Sequence, residues 1–166
     1  MADPAIFSRL APAILFIAAV TAGCGERSQE EAQRDRHARV TKVTDGDTIR
    51  LAGLGPVRLI GVDTPEVYGG AECFGSAASE FAKRLLPLGT RVRYRPGVDD
   101  RDPYGRLLAY VWLPDGRMLN RVLVEQGYAQ PLTIAPNVEF AARFRAAARA
   151  ARRAGLGLWR ACGVGG

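Results

Sequence analysis

Residues 40–51 read VTKVTDGDTIRL. Two β-prone runs, 40–43 and 48–51, flank Asp45-Gly46-Asp47, a tight-turn signal, so the stretch predicts two strands joined by a turn. Outward from it, VRLIGV (57–62) predicts a third strand. In TRVRYRP (90–96), Arg91, Arg93 and Arg95 alternate with Val92 and Tyr94, the period of a half-buried strand. LLAYVWL (107–113) is a mostly apolar strand, ended by the Pro114-Asp115-Gly116 turn. Five short strands suit a small barrel. Helices are expected between and after them. Residues 76–86 place Ala77, Phe81 and Leu85 at helical spacing, and Pro87 ends the run. Residues 118–126 carry Leu119, Val122, Leu123 and Gln126, with Gly127 as the stop. Residues 137–154 follow Pro136, and Asn137 is a good N-cap. The expected class is α+β, mainly β: a five-stranded barrel with about three helices.

The chain has 166 residues, enough for one domain with a core and not comfortably for two. Its 48% apolar and 24% charged residues exclude a wholly disordered or collagen-like chain. The formal net charge is +6, from 23 Lys+Arg against 17 Asp+Glu, and only Lys42 and Lys83 are lysines. Arginine forks grip phosphate in a bidentate way that lysine does not, so the balance leans toward a polyanionic partner. An arginine-rich genome would give the same bias. The last helix carries Arg143, Arg145, Arg149, Arg152 and Arg153 against one acid, Glu139. Two readings stand: a face turned to nucleic acid, or a solvated amphipathic face with Phe140, Phe144 and Ala148 inward. Charge runs are more often the second.

The N-terminus reads as an address. Residues 10–20 (LAPAILFIAAV) are an apolar run of 11, preceded by Arg9 and followed by Thr21-Ala22-Gly23-Cys24. That is the layout of a secretory signal, and it is too short to span a membrane. The Ala22-Gly23-Cys24 ending resembles a bacterial lipoprotein signal, in which Cys24 becomes the lipidated first residue. An ordinary secretory signal cut nearby is the other reading. Residues 25–39 are polar, with four basic and four acidic residues, and read as a solvated tether holding the single histidine, His37. The domain is then 40–162. Cys73 and Cys162 remain, either as two thiols or as a disulfide closing a long loop, which requires an oxidising compartment.

Three short segments concentrate the polar groups that phosphoryl transfer needs. They are Asp45-Gly46-Asp47-Thr48, the run from Arg58 to Asp63-Thr64-Pro65-Glu66, and Asp102-Pro103-Tyr104-Gly105-Arg106. Cleaving a phosphodiester requires neutralised oxygens, a positioned water and a stabilised leaving oxygen. A hard cation on carboxylates, arginine clamps and a further carboxylate beside the water can supply these. With no histidine inside 40–162, a histidine-based nuclease is excluded, and no His/Cys cluster has zinc-ligand spacing. Taken singly, each segment also has a plain structural reading: a hairpin turn, a helix start capped by Thr64, a β-turn.

Together they say more. V-T-D-G-D-T-I-R-L, R-L-I-G-V-D-T-P-E and D-P-Y-G-R-L-L-A-Y-V, in this order and at these separations, resemble the thermonuclease (staphylococcal nuclease-like) family. The resemblance continues through M-L-N-R-V-L-V-E-Q-G-Y-A (118–129), Pro136-Asn137 and Gly157-Leu158-Trp159, and so covers about residues 40–160. It implies an OB-fold barrel and a Ca2+-dependent endo/exonuclease acting on DNA and RNA that leaves 3′-phosphate ends. It implies Asp47 and Asp63 as carboxylate ligands of Ca2+, with the Thr64 carbonyl completing the protein ligands. Asp45 would orient them from behind. Glu66 would hold the attacking water, Arg58 and Arg106 would grip the phosphate, and Tyr104 would touch a terminal phosphate.

The chain departs from the family pattern in two places. Where the prototype stacks tyrosines on the base, this chain reads Gln130-Pro131-Leu132-Thr133-Ile134-Ala135, one residue shorter and without an aromatic. Pro103 stands in place of a lysine. The expectation is an exported nuclease, lipid-anchored at the envelope or secreted, monomeric and without an obligate protein partner. Two other readings are an idle OB-fold nucleic-acid-binding module, and an envelope protein whose basic face meets acidic lipids or wall polymers. Degenerate copies would lose the Asp, Glu or Arg set, and all of it is present.

Overall fold

The computed structural model describes residues 35–70 and 72–163. The signal segment 1–24 with Cys24, and most of the tether, lie outside the described residues. Among those described, no helix is long and apolar enough to cross a membrane.

The described residues form seven strands: β1 (Arg36–Val43), β2 (Thr48–Leu51), β3 (Gly55–Leu59), β4 (Val62–Asp63), β5 (Arg91–Arg101), β6 (Leu107–Trp112) and β7 (Gln130–Pro131). Among the same residues four helices accompany them: α1 (Gly75–Leu85), α2 (Leu119–Glu125), α3 (Ala141–Arg153) and α4 (Leu158–Ala161). The order β1-β2-β3-β6-β5 closes into a barrel, and β4 and β7 form a separate two-stranded sheet. All neighbours in the barrel are antiparallel except β3 and β6, which run parallel. Closure leaves the barrel itself no free edge. Alternation fills the interior: Ile49 and Leu51 from β2, Val57 and Leu59 from β3, Val92 and Tyr94 from β5 are all buried. Leu119 and Leu123 of α2 and Phe144 and Ala148 of α3 join the same core.

The five expected strands all appear, with corrected limits. β1 begins at Arg36, inside the segment read as tether, because residues 36–39 pair with 91–94 of β5. His37 therefore sits in a barrel strand opposite Arg93, exposed, and the domain does contain a histidine. It belongs to none of the contacts around Asp47 described below. β5 runs on to Arg101, past an irregularity between Pro96 and Arg101, where proline costs no ladder bond. The apolar run at 57–62 divides into β3 and β4 around Ile60-Gly61.

The helices also shift. α1 buries Ala78, Ser79 and Ala82 rather than Ala77, while Phe81 stacks on Tyr128 with ring centroids 3.9 Å apart. In α2, Gln126 is exposed rather than inward. α3 starts at Ala141, and Asn137 does not cap it. The Asn137 side chain is committed elsewhere: its Oδ1 accepts from the Asp99 amide at 3.2 Å and its Nδ2 donates to the Asp99 carbonyl at 2.8 Å. The short α4 makes a fourth helix. Cys73 and Cys162 form a disulfide, Cα atoms 5.8 Å apart, which ties the start of α1 to the end of α4 across 89 residues of chain.

Candidate functional site

The turn between β1 and β2 is held by its own first acid. The Asp45 carboxylate accepts hydrogen bonds from the backbone amides of Asp47 at 3.1 Å and Thr48 at 2.6 Å. This is the local side-chain-to-backbone geometry that Asp favours in turns. Asp45 therefore orients the site through the backbone of the residue that matters. Asp47, so positioned, points inward and is buried. Its Oδ2 accepts from the Thr64 amide at 2.7 Å and the Thr64 hydroxyl at 3.0 Å. The turn can come this close because residue 46 is glycine: a Cβ there would lie 2.6 Å from the Thr64 side chain.

Asp63 arrives from the other side. It is the last residue of β4, placed by its pairing with Gln130 of β7, and its side chain is largely exposed. Arg58, on β3, lies between the two acids. Its Nη2 is 2.7 Å from Asp63 Oδ1 and 3.2 Å from Asp47 Oδ2. Its Nη1 donates to the carbonyls of Leu59 at 3.0 Å and Val62 at 2.7 Å, which fixes the fork. Burial pushes the Asp47 carboxyl up to about 6, against the pull of Arg58 and of the Thr64 amide. The carboxylate is thus held where its charge is expensive without a cation.

The donor set suits a hard cation. Two carboxylate oxygens share one guanidinium nitrogen, so they lie within about 6 Å of each other, close to the reach of one ion with oxygen ligands at about 2.3–2.6 Å. Among the described residues no group of three or more His, Cys, Asp or Glu side chains could hold a metal. A cation here would need carbonyl and water ligands besides Asp47 and Asp63, which Ca2+ accepts readily.

Arg58 also lines a cleft of about 360 Å3 that includes Tyr104, Arg106, Leu132 and Ile134. Asp102 organises its far side. One Asp102 oxygen accepts from the amides of Tyr104 at 3.0 Å and Arg106 at 2.9 Å, and the other accepts from Arg106 Nε at 2.6 Å. Burial works against the Asp102 charge, but the bonds from Arg106 and Tyr104 outweigh it and hold the carboxyl below its usual range. With Nε engaged, both Nη groups of Arg106 make no hydrogen bond to the described residues. The guanidinium sits 5.6 Å from the centre of the exposed Tyr104 ring. The wall where an aromatic was missed in the sequence is aliphatic, with Leu132 and Ile134 partly to largely exposed.

Glu66 is exposed, and its carboxylate makes no hydrogen bond or ion pair among the described residues. Its backbone is clasped instead. Glu72 Oε2 accepts from the Glu66 amide at 3.0 Å, and the Glu72 amide donates to the Glu66 carbonyl at 2.9 Å. Gly75, opening α1, comes so near that a Cβ would lie 2.4 Å from the Glu66 carbonyl oxygen. The structure therefore joins Asp47, Asp63, Thr64 and Arg58 by direct contact, and Arg58, Tyr104 and Arg106 along one cleft. Glu66 is linked to them only through the Thr64-Pro65 backbone.

Sequence reasoning missed three residues. Glu72 is the clasp on Glu66. Asp102 entered only as part of a turn, yet it aims Arg106. Asn120 is fully buried in α2; its Oδ1 accepts from the Val111 amide at 3.0 Å and its Nδ2 donates to the Ile60 carbonyl at 2.8 Å. That pins β6 to the segment leading into Asp63. A polar residue inside the apolar pattern of 118–126 was the one available signal.

Comparison with known proteins places this geometry. Residues 56–161 match the family model described as staphylococcal nuclease homologue. The chain is 40% identical over 126 residues to the thermonuclease of Staphylococcus intermedius, covering 72% of this chain and 74% of that one. It is 36% identical over 127 residues to the thermonuclease of Staphylococcus hyicus, covering 73% and 74%. It is 34% identical over 142 residues to endonuclease YhcR of Bacillus subtilis (strain 168), covering 77% of this chain but only 12% of that much longer protein.

Proposed function

The chain belongs to the staphylococcal nuclease family, and from that premise we propose that it is a Ca2+-dependent nuclease that hydrolyses phosphodiester bonds in DNA, RNA or both and leaves 3′-phosphate ends. The observation that carries the reading is the pair Asp47 and Asp63 meeting at one Arg58 nitrogen, beside a cleft that also holds Arg106. Asp47, Asp63 and the Thr64 carbonyl would hold Ca2+, with Asp45 fixing the turn behind them. When bound, the ion supplies positive charge against the scissile phosphate.

The chain's own groups account for the rest. Arg106, with both Nη groups left over, and Arg58, with its Nε left over, lie along one cleft and offset the charge that grows on the phosphate oxygens. Glu66, exposed and unpaired, takes a proton from the attacking water or aims it. The water oxygen bonds to phosphorus, the P–O5′ bond breaks, and the departing 5′-oxygen is protonated from solvent. Tyr104 contacts a terminal phosphate. The aliphatic Leu132 and Ile134 wall receives the base by apolar contact, giving up stacking worth about 1–3 kcal/mol per base.

We also propose export, with Cys24 as a lipid anchor on a protein that needs no obligate partner. The apolar run 10–20 and the Cys73–Cys162 bond support an oxidising compartment. The test compares wild type, D47N and E66Q by Ca2+ titration calorimetry and by end-group analysis of single-stranded DNA products. E66Q is expected to bind Ca2+ like wild type while turnover falls about 100-fold or more, and D47N to lose both. Products should carry 3′-phosphates. Equal loss of Ca2+ in both variants, or 5′-phosphate products, would contradict the assignment.

A further inference from the structure

The charge of this chain is unevenly placed. Six of its 23 basic residues follow Glu139, and no acid does, so the other 17 basic residues balance all 17 acids. The entire net charge of +6 therefore lies in residues 140–166. Five of those six arginines are on α3, which contains no acid. Every ion pair among the described residues uses an arginine at or before position 121. Among the described residues, none of the α3 arginines has a carboxylate partner.

Helix geometry sorts them. Arg145, Arg149, Arg152 and Arg153 stand at i, i+4, i+7 and i+8 and share one stripe, in which Arg152 also lies over the Trp159 ring, while Arg143 points to another side, over Phe140. The stripe is exposed along its length, roughly 12 Å from first to last at about 1.5 Å per residue. Core packing does not call for it, since Ala141, Phe144, Ala148 and Ala151 make the buried face. Helix stability does not account for the whole stripe: Arg152 and Arg153, in the last turn, suit the dipole, but like charges at i, i+4 repel and Arg145 sits near the end that favours acids. An exposed surface all of one sign, which the core does not require, points to an anionic partner.

Its position says which one. Arg145 Nη1 reaches the Thr133 hydroxyl at 3.4 Å, and Thr133 lies in the loop whose neighbours Leu132 and Ile134 wall the cleft. α3 also packs on β7, the strand that places Asp63. We propose that the Arg145, Arg149, Arg152 and Arg153 stripe is a second docking surface for polynucleotide, continuous with the cleft, which holds the phosphate backbone of a long substrate beyond the nucleotides bound at the scissile bond. The proposal rests on the nuclease reading for what occupies the cleft. In duplex terms the stripe spans about seven phosphate charges at roughly 1.7 Å of axis each, so several can be neutralised together.

The test is run so that it reads out even in a chain that cannot cleave. Binding of a long DNA duplex is followed by fluorescence anisotropy in EGTA across a salt series, for wild type, R145Q/R149Q/R153Q and the charge-keeping R145K/R149K/R153K. The glutamine variant should lower the magnitude of the log K against log salt slope by about 2–3, near 0.9 for each lost contact. The lysine variant should keep it. With Ca2+, the glutamine variant should cleave a tetranucleotide like wild type while kcat/KM on the long duplex drops about 10-fold or more. Unchanged slopes would overturn the proposal, as would equal losses on short and long substrates. Loss of binding to phosphatidylserine vesicles with unchanged polymer slopes would make the stripe a membrane surface and overturn it too. Absence of any cleavage by wild type would instead strike the nuclease reading and leave the salt slopes to decide this one.

Discussion

At the scale of single residues, the site is a set of acids aimed by hydrogen bonds rather than by packing. Asp45 fixes a turn, Glu72 clasps Glu66, and Asp102 aims Arg106. On the role proposed for Glu66, Glu72→Ala should leave Ca2+ binding intact and lower kcat by about 10- to 100-fold, since a displaced catalytic group is costly even when present. Unchanged kcat would remove Glu72 from the account. Asp102 gives a pH signature. Its carboxyl is held below its unfolded value, so its contribution to stability is present above about pH 4 and is lost as pH falls through the folded value. D102N should therefore be less stable than wild type near pH 7, by about 1 kcal/mol for a partly exposed charge pair, with the gap closing below about pH 4 in urea melts. A gap constant with pH would contradict the pairing. Asp47, Asp63 and Arg58 were readable in the sequence because they sit in short motifs with fixed order. Glu72 was not, because an acid that binds a backbone amide across a loop leaves no periodic trace.

At the scale of elements, alternation carried the reading of the barrel. Arg91, Arg93 and Arg95 against Val92 and Tyr94 marked β5 plainly. The two-residue strands β4 and β7 are too short for any period, yet they place Asp63. The start of β1 was hidden for another reason: Arg36-His37-Ala38-Arg39 is polar, and its pairing is supplied by β5, some 55 residues on. The helix start at 137 failed because Asn137 serves β5 through Asp99. Two predictions belong here. Asn120→Ala removes partners from the buried Val111 amide and Ile60 carbonyl and should cost about 2–4 kcal/mol, read as a shift in urea midpoint at constant m-value. Reducing the Cys73–Cys162 bond opens a loop of 89 residues and should cost about 4.6 kcal/mol by chain entropy. Denaturation with and without dithiothreitol checks this, and superimposable curves would show that the link carries no stability.

At the scale of the whole molecule, a closed barrel presents its chemistry on one side, where β3, β4, the 102–106 turn and the 132–135 loop converge. The barrel interior is filled by apolar side chains, and the cluster around Arg58 stands outside that core. The buried Asp47 is instead a standing cost, of the kind that functional sites impose on a fold. The measurement that bears most directly on the central claim is cleavage of single- and double-stranded DNA and RNA by the purified protein, in Ca2+ or in EGTA, beside Arg106→Ala. The account predicts cleavage that requires Ca2+ and that falls by about 100-fold or more when the Arg106 fork is removed. Binding without cleavage under any divalent metal, or cleavage indifferent to both Ca2+ and Arg106, would contradict it.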